Sequence, residues 1–376
     1  MLRAERVAVF AVDDSSAQVC WGSLPRGEVV FEAGGVEVAV EGDGAPGAIE
    51  LRGLPSGARL ELTMRGPRRG RSGRRRVAGF RTLTPPPGRL LGRFATVNDL
   101  HIGAHGFGLF FEMTERDAEA PHPVRCLRAA LAEARDWGAD AVVVKGDLTH
   151  GGRPWEWEVV GRELGAAGMP VVATPGNHDV VRLATDGTAI LARYGIQLLT
   201  EPAAVDLPGI TAVVVNTTER GAERGIMPRR RRREVTELVA AAGGPVFLAM
   251  HHYPQRFRLP TMWPPGIPSP NAVALLDAVA EANPATFVTS GHSHRHRAHS
   301  HGPLAVAEIG STKDFPGAWA GYAVYEGGIL QVVRRVAEPS AIAWTDRTRW
   351  AVGGIWGLWS PGFRDHRCFT HLWPRT

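Results

Sequence analysis

Cysteine is scarce in this chain of 376 residues: Cys20, Cys126 and Cys368 lie far apart and form no CxxC pair. That scarcity argues against a disulfide framework or a zinc knuckle. Lysine is scarcer still, at Lys145 and Lys313 only, so nearly all of the 43 basic residues are arginine. The formal net charge of +5 by itself gives nucleic-acid binding little support. No apolar run approaches the length needed to span a membrane, and Asp13 and Asp14 end the first apolar stretch too early for a signal peptide. The expectation is a reduced, cytoplasmic protein with no membrane partner.

At roughly 150 residues per domain, the length predicts two domains or one large one. Residues 1–88 alternate short β-rich runs with Gly/Pro turns and show no helical periodicity, which predicts an all-β sandwich. Ser16-Ala-Gln-Val-Cys-Trp21, Leu54 to Leu62 and Phe80 to Gly88 resemble a fibronectin type III domain, and Pro85-Pro-Pro-Gly88 reads as a stiff linker. From residue 89 to 332, apolar runs alternate with helical segments such as Val124 to Trp137, Trp155 to Ala167 and Ala272 to Ala282, the pattern of a layered α/β fold. Residues 333–376 carry Trp344, Trp350, Trp356, Trp359 and Trp373 and read as an appended cap that buries aromatics.

The chemistry lies in five blocks, each placed just after an apolar run: Asp99-Leu-His101, Gly146-Asp147, Gly176-Asn177-His178-Asp179, His251-His252 and Gly291-His292-Ser293-His294. Strand ends of an open α/β sheet are where ligands collect. Carboxylate, amide and imidazole donors are those that hold divalent cations.

Together the blocks, over roughly residues 92 to 312, resemble the calcineurin-like metallophosphoesterase superfamily. The resemblance implies a four-layer α/β/β/α fold behind the N-terminal all-β sandwich. It also implies two divalent ions (Mn, Fe or Zn): Asp99, His101 and His294 on the first, Asn177, His251 and His292 on the second, and Asp147 bridging. His178 would serve the leaving group as a proton donor, with Asp179 orienting its ring. The fourth block offers two imidazoles; the resemblance favours His251 as the ligand and leaves His252 as a substrate-side group or an outer partner of the ligands. Purple acid phosphatases carry Tyr where this chain has His150, so an iron(III) phenolate site is not expected. The His251-His-Tyr-Pro254 block is similar to that of class III cyclic-nucleotide and glycerophosphodiester phosphodiesterases. The implied function is hydrolysis of small phosphodiesters by a metal-bridging hydroxide, with phosphomonoesters second, nucleic acid third, and a non-catalytic scaffold as the rival. The oligomeric state is not legible.

Other features have plainer readings. His296, His299 and His301 read as a solvated loop, Arg65 to Arg76 as a mobile hairpin loop, and Arg229 to Arg233 as an exposed helix start. Trp155 and Trp157 fit core packing at least as well as a substrate entrance.

Overall fold

The computed structural model describes residues 7–68, 71–109, 112–115, 120–260 and 264–374. The expectation about the N-terminal leader rests in part on residues 1–6, which lie outside this range.

Seven strands open the chain: β1 (Ala8–Val12), β2 (Ser16–Trp21), β3 (Gly27–Ala33), β4 (Val36–Gly42), β5 (Gly47–Arg52), β6 (Arg59–Arg68) and β7 (Arg71–Arg81). They form sheets of order β1-β2-β5 and β4-β3-β6-β7. Alternate side chains of the two sheets, Val19 and Leu51 against Phe31 and Leu62, close one apolar core. The arginine-rich run is thus two paired strands, with Arg65 opposite Arg74, rather than a loop; residues 69–70 at its tip lie outside the described range.

The chain continues through β8 (Leu90–Val97), a small hairpin of β9 (Gly106–Phe107) and β10 (Met113–Thr114), α1 (His122–Asp136), β11 (Val142–Lys145), α2 (Pro154–Gly165) and β12 (Val171–Thr174). Next come α3 (Thr188–Ala192), β13 (Gln197–Leu198), β14 (Ala203–Leu207), β15 (Ile210–Val215), α4 (Arg229–Ala241), β16 (Val246–Met250), α5 (Ser269–Ala282) and β17 (Thr286–Ser290). The last part holds β18 (Arg297–His301), β19 (Leu304–Glu308), β20 (Ala318–Tyr325), β21 (Gly328–Arg335), α6 (Pro339–Thr348), α7 (Ile355–Trp359), α8 (Arg364–Arg367) and β22 (Phe369–Leu372).

Two sheets, of order β13-β12-β11-β8-β20-β21-β22 and β14-β15-β16-β17-β19-β18, stack face to face. Strand alternation makes the layers. Val142 and Val144 of β11 pack under α1 and α2, whereas Val143 points into the space between the sheets. There Phe94, Phe247 and Tyr322 meet with centroids 4.7–5.2 Å apart. On the far side Leu248 and Val288 pack under α4 and α5. The result is the four-layer α/β/β/α arrangement, with a β-rich region in front.

The tail is more than a cap. β21 crosses the expected boundary at residue 332, and β22 returns to the seven-stranded sheet by pairing with β21. The N-terminal core includes Ala323, Leu330 and Val332 of that sheet, so the two regions share apolar packing. Of the five tail tryptophans only Trp344 is fully buried, stacked on His122 at 3.8 Å. No helix among the described residues is long and apolar enough to cross a membrane.

Candidate metal centre

All five blocks leave the C-terminal ends of parallel strands: β8, β11 and β12 in one sheet, β16 and β17 in the other. Their side chains converge across the rims of both sheets. The turns that carry them are sterically unusual. Six non-glycine described residues have positive φ, and five are Asp99 (53°), His101 (46°), Asp147 (50°), His292 (67°) and His294 (50°). Each such residue costs on the order of 1–3 kcal/mol, and persists only where its surroundings over-determine it. The block glycines are spatial necessities: a Cβ on Gly146 would collide with the His251 ring, and one on Gly176 with the Asp147 carboxylate.

Asp147 sits in the middle. Its Oδ2 is 3.5 Å from His101 Nε2, and its Oδ1 is 3.4 Å from His251 Nε2. On the first side, His101 Nε2 lies 3.2 Å from His294 Nε2, which lies 3.5 Å from Asp99 Oδ1. On the second, His251 Nε2 is 3.1 Å from Asn177 Oδ1 and 3.2 Å from His292 Nδ1. Asp99, Asp147, His251 and His292 are at most 2% exposed.

Outer partners settle which atoms face inward. His251 Nδ1 is 2.8 Å from the Lys145 carbonyl oxygen, which only accepts, so Nδ1 carries the hydrogen and Nε2 presents a lone pair. Asp314 Oδ2 does the same for His294 Nδ1 at 2.8 Å. Asn177 Nδ2 donates to Glu223 Oε2 at 3.0 Å, which turns its Oδ1 inward. With its imidazoles neutral, the interior is therefore acceptors facing acceptors. A buried polar group without a partner is costly. Divalent cations answer that cost, so the donor set fits them, and the ligand atoms of Asp99, His101 and His294, and of Asp99, Asp147 and His251, each lie within 4.8 Å of one another.

Charge follows the same logic. Burial pushes the Asp147 carboxyl up, but His251, His178 and His101 outweigh it and hold it well below the usual range. Burial raises Asp99. Burial opposes protonation of His251, yet Asp147 and Asp99 lift it to about 9, so that without a cation a proton on Nε2 answers the oxygens of Asp147 and Asn177 in a cation's place. In His252 burial prevails and, with His292 and His251, keeps the ring well below its ordinary value; its Nδ1 is 2.8 Å from Thr217 Oγ1.

His178 stands beside the centre, its ring 4.5 Å from that of His101 and its Nδ1 3.0 Å from the His150 carbonyl oxygen. The expected contact from Asp179 to that ring is not among the described hydrogen bonds. The Asp179 carboxylate instead accepts from the backbone of Leu148, Thr149 and Gly176 at 2.7–3.0 Å and from Thr149 Oγ1 at 2.6 Å. Neighbours in a tight 3-10 turn project to different sides, so Asp179 clasps the Asp147 and Asn177 loops together while His178 faces outward.

Sequence reasoning passed over several groups here. Both lysines lie at the centre, and their rarity was the available signal. Lys145 Nζ donates to Thr289 Oγ1 at 2.9 Å and Ser290 O at 3.0 Å beneath the rim, and burial pushes it down to about 7. Lys313, 4% exposed, lines the cavity above the rim with Phe107 and Trp356. Trp157 is core, donating to Thr185 O, while Trp155 is exposed. His296 is buried rather than solvated, because its Nδ1 accepts from Gly310 N at 3.0 Å; His301 pairs with Asp277 at 2.7 Å.

Residues 92–296 match the calcineurin-like phosphoesterase family model, and the chain belongs to that family, a class of metal-dependent phosphoric ester hydrolases. It is 33% identical over 87 residues to the glycerophosphodiester phosphodiesterase GpdQ of Enterobacter lignolyticus, a match that covers 23% of this chain and 28% of that relative. Among solved structures, a purple acid phosphatase from yellow lupin seeds aligns at 11% identity and TM-score 0.46, over 90% of this chain and 72% of that one. GAP50, the anchor in the inner membrane complex of Plasmodium, aligns at 13% identity and TM-score 0.46, over 68% of this chain and 87% of that one.

Proposed function

We propose that this chain hydrolyses small phosphodiesters at a pair of divalent ions, one held by Asp99, His101, Asp147 and His294, the other by Asp147, Asn177, His251 and His292. One observation carries the reading: two groups of inward-facing acceptors share a single carboxylate whose oxygens address opposite sides. Ions so placed polarise a phosphoryl oxygen and acidify bound water. A donor set of carboxylate, imidazole and amide oxygen without thiolate suits Mn, Fe(II) or Zn.

The protein's own groups do the rest. His178, its Nδ1 hydrogen committed to the His150 carbonyl, has Nε2 left to pass a proton to the departing ester oxygen. Asp179 keeps the two loops at fixed separation. Lys313 brings a fixed cation to the cavity wall for a phosphate oxygen. The phosphodiester assignment draws support from the 33% identity over 87 residues to a glycerophosphodiester phosphodiesterase.

Two further readings belong with this one. The division of β1–β7 into three and four strands, with Trp21 stacked on Phe31 at 5.5 Å, supports a fibronectin type III-like sandwich. Three buried free thiols suit a reducing, cytoplasmic setting.

The test is turnover of bis-p-nitrophenyl phosphate against p-nitrophenyl phosphate by the metal-loaded chain. The diester is expected to be the better substrate, and Asp147→Asn to lower turnover by more than about 100-fold, beyond the range for losing an outer partner of a ligand. A preference for the monoester would replace the reading with a phosphomonoesterase. A metal-loaded but inert protein would leave a scaffold.

A further inference from the structure

The cavity above the centre has a floor of candidate ligands and a wall that they do not supply. Its volume of about 300 Å³ is at the small end for ligand pockets. Phe107, from the β9–β10 hairpin, and Trp356, from α7 of the tail, meet there as a corner, ring centroids 5.2 Å apart at 58°. Leu109, 59% exposed, and Val352 carry the apolar surface outward.

This wall is fastened in place. Trp356 Nε1 donates to the Phe315 carbonyl oxygen at 3.1 Å, and the Val352 amide donates to the Glu112 carboxylate, which ties the tail to the hairpin. Val352 is the sixth non-glycine described residue with positive φ, at 53°. A β-branched side chain in that region is a true outlier. It lines the same cavity as four of the other five. At the inner edge of the wall, Lys313 Nζ lies 5.0 Å from the Phe107 ring centroid and 3.3 Å from Asp314 Oδ2.

A glycerol-sized ester group would leave those carbons against water, whereas a flat ring covers them. We propose, resting on the reading of the centre as a phosphoester hydrolase, that Phe107, Val352 and Trp356 form an ester-group subsite that selects phosphoesters bearing an aromatic ring over those of small polyols. Trp356 and Val352 then make the tail a specificity element of the site, and the ring comes from an aryl or a nucleoside ester.

Phenylphosphonate and methylphosphonate share the anionic head and differ only in what the wall would touch. Calorimetric titration of the full, Mn(II)-loaded chain is expected to show phenylphosphonate binding about ten-fold tighter or more. Trp356→Ala should remove that advantage and leave methylphosphonate affinity within about two-fold; Trp356→Phe, which keeps a ring, should retain the advantage. Adenosine 5′-monophosphate is the second arm: binding tighter than phenylphosphonate assigns a nucleoside, weaker binding an aryl group. Equal affinity for the two phosphonates, no binding of phenylphosphonate, or a Trp356→Ala chain that keeps the advantage overturns the subsite. Because the readout is binding, failure of the hydrolase reading shows separately, as absent bis-p-nitrophenyl phosphate turnover in a chain that still discriminates the phosphonates.

Discussion

Two buried polar clusters in this chain are built on opposite rules. Where the N-terminal sheets meet β21, Arg334 donates to Asp13 Oδ2 at 3.0 Å, to Ser16 Oγ at 2.8 Å and to Glu50, while Trp137 Nε1 donates to the same Asp13 Oδ2 at 2.9 Å and the Asp14 amide to Oδ1 at 2.7 Å. Donors meet acceptors, and charge meets opposite charge. At the strand-end rim, acceptors meet acceptors that only a proton or a cation can bridge: Asp147 faces Nε2 of His101 and of His251, and Asn177 Oδ1 faces the latter as well. A cluster whose members satisfy one another joins structure; one whose members do not is arranged for something else to bind.

The largest effect should come from breaking the satisfied cluster. Arg334→Ala leaves Asp13 and Glu50 buried without their cation, and urea unfolding should register a loss of about 3–5 kcal/mol, with metal affinity unchanged. The junction also has an acid limb. For both carboxyls burial is the largest influence and pushes upward, but Arg334 together with hydrogen bonds from Asp14 and Trp137 to Asp13, and from Ser16 and Arg52 to Glu50, holds them below their ordinary values. Their contribution is therefore complete above the unfolded pKa of about 4, and is lost as pH falls through the lower folded values. In Arg334→Ala burial acts unopposed by that cation, so stability should begin to fall at a higher pH than in the parent. Identical acid profiles would remove the junction from the account.

A smaller effect sharpens the other side. Asp314 acts through His294, whose Nδ1 it fixes, so Asp314→Asn should weaken metal binding by about 10–100-fold without lowering stability by as much as Arg334→Ala. Competition against a chelating dye measures the first and urea unfolding the second. Unchanged affinity would show that His294 needs no outer partner.

The contrast also explains what was legible in the text of the chain. Apolar runs such as Val171 to Thr174, followed after Pro175 by Gly-Asn-His-Asp, mark a strand and the polar turn at its end, because strand alternation and turn chemistry are local. Helices α1, α2 and α5 begin and end within two or three residues of where periodicity placed them. Nothing local says that Asp179 turns away from His178, that the arginine run pairs with itself as β6 and β7, or that residue 369 returns to pair with β21. Lys313, Phe107 and Trp356 reach the cavity from a loop, a two-residue strand and a five-residue helix, each too short to show a period. The left-handed backbone at Asp99, His101, Asp147, His292 and His294 was equally hidden, since such residues hold that conformation only under constraint from packed neighbours.

The most direct test counts metal ions per chain, by elemental analysis after Mn(II) loading and desalting, in the parent and in Asp147→Asn. Two ions in the parent and fewer in the variant are what a shared carboxylate between two half-sites requires. One ion or none in the parent, or two retained without the Asp147 carboxylate, would contradict it.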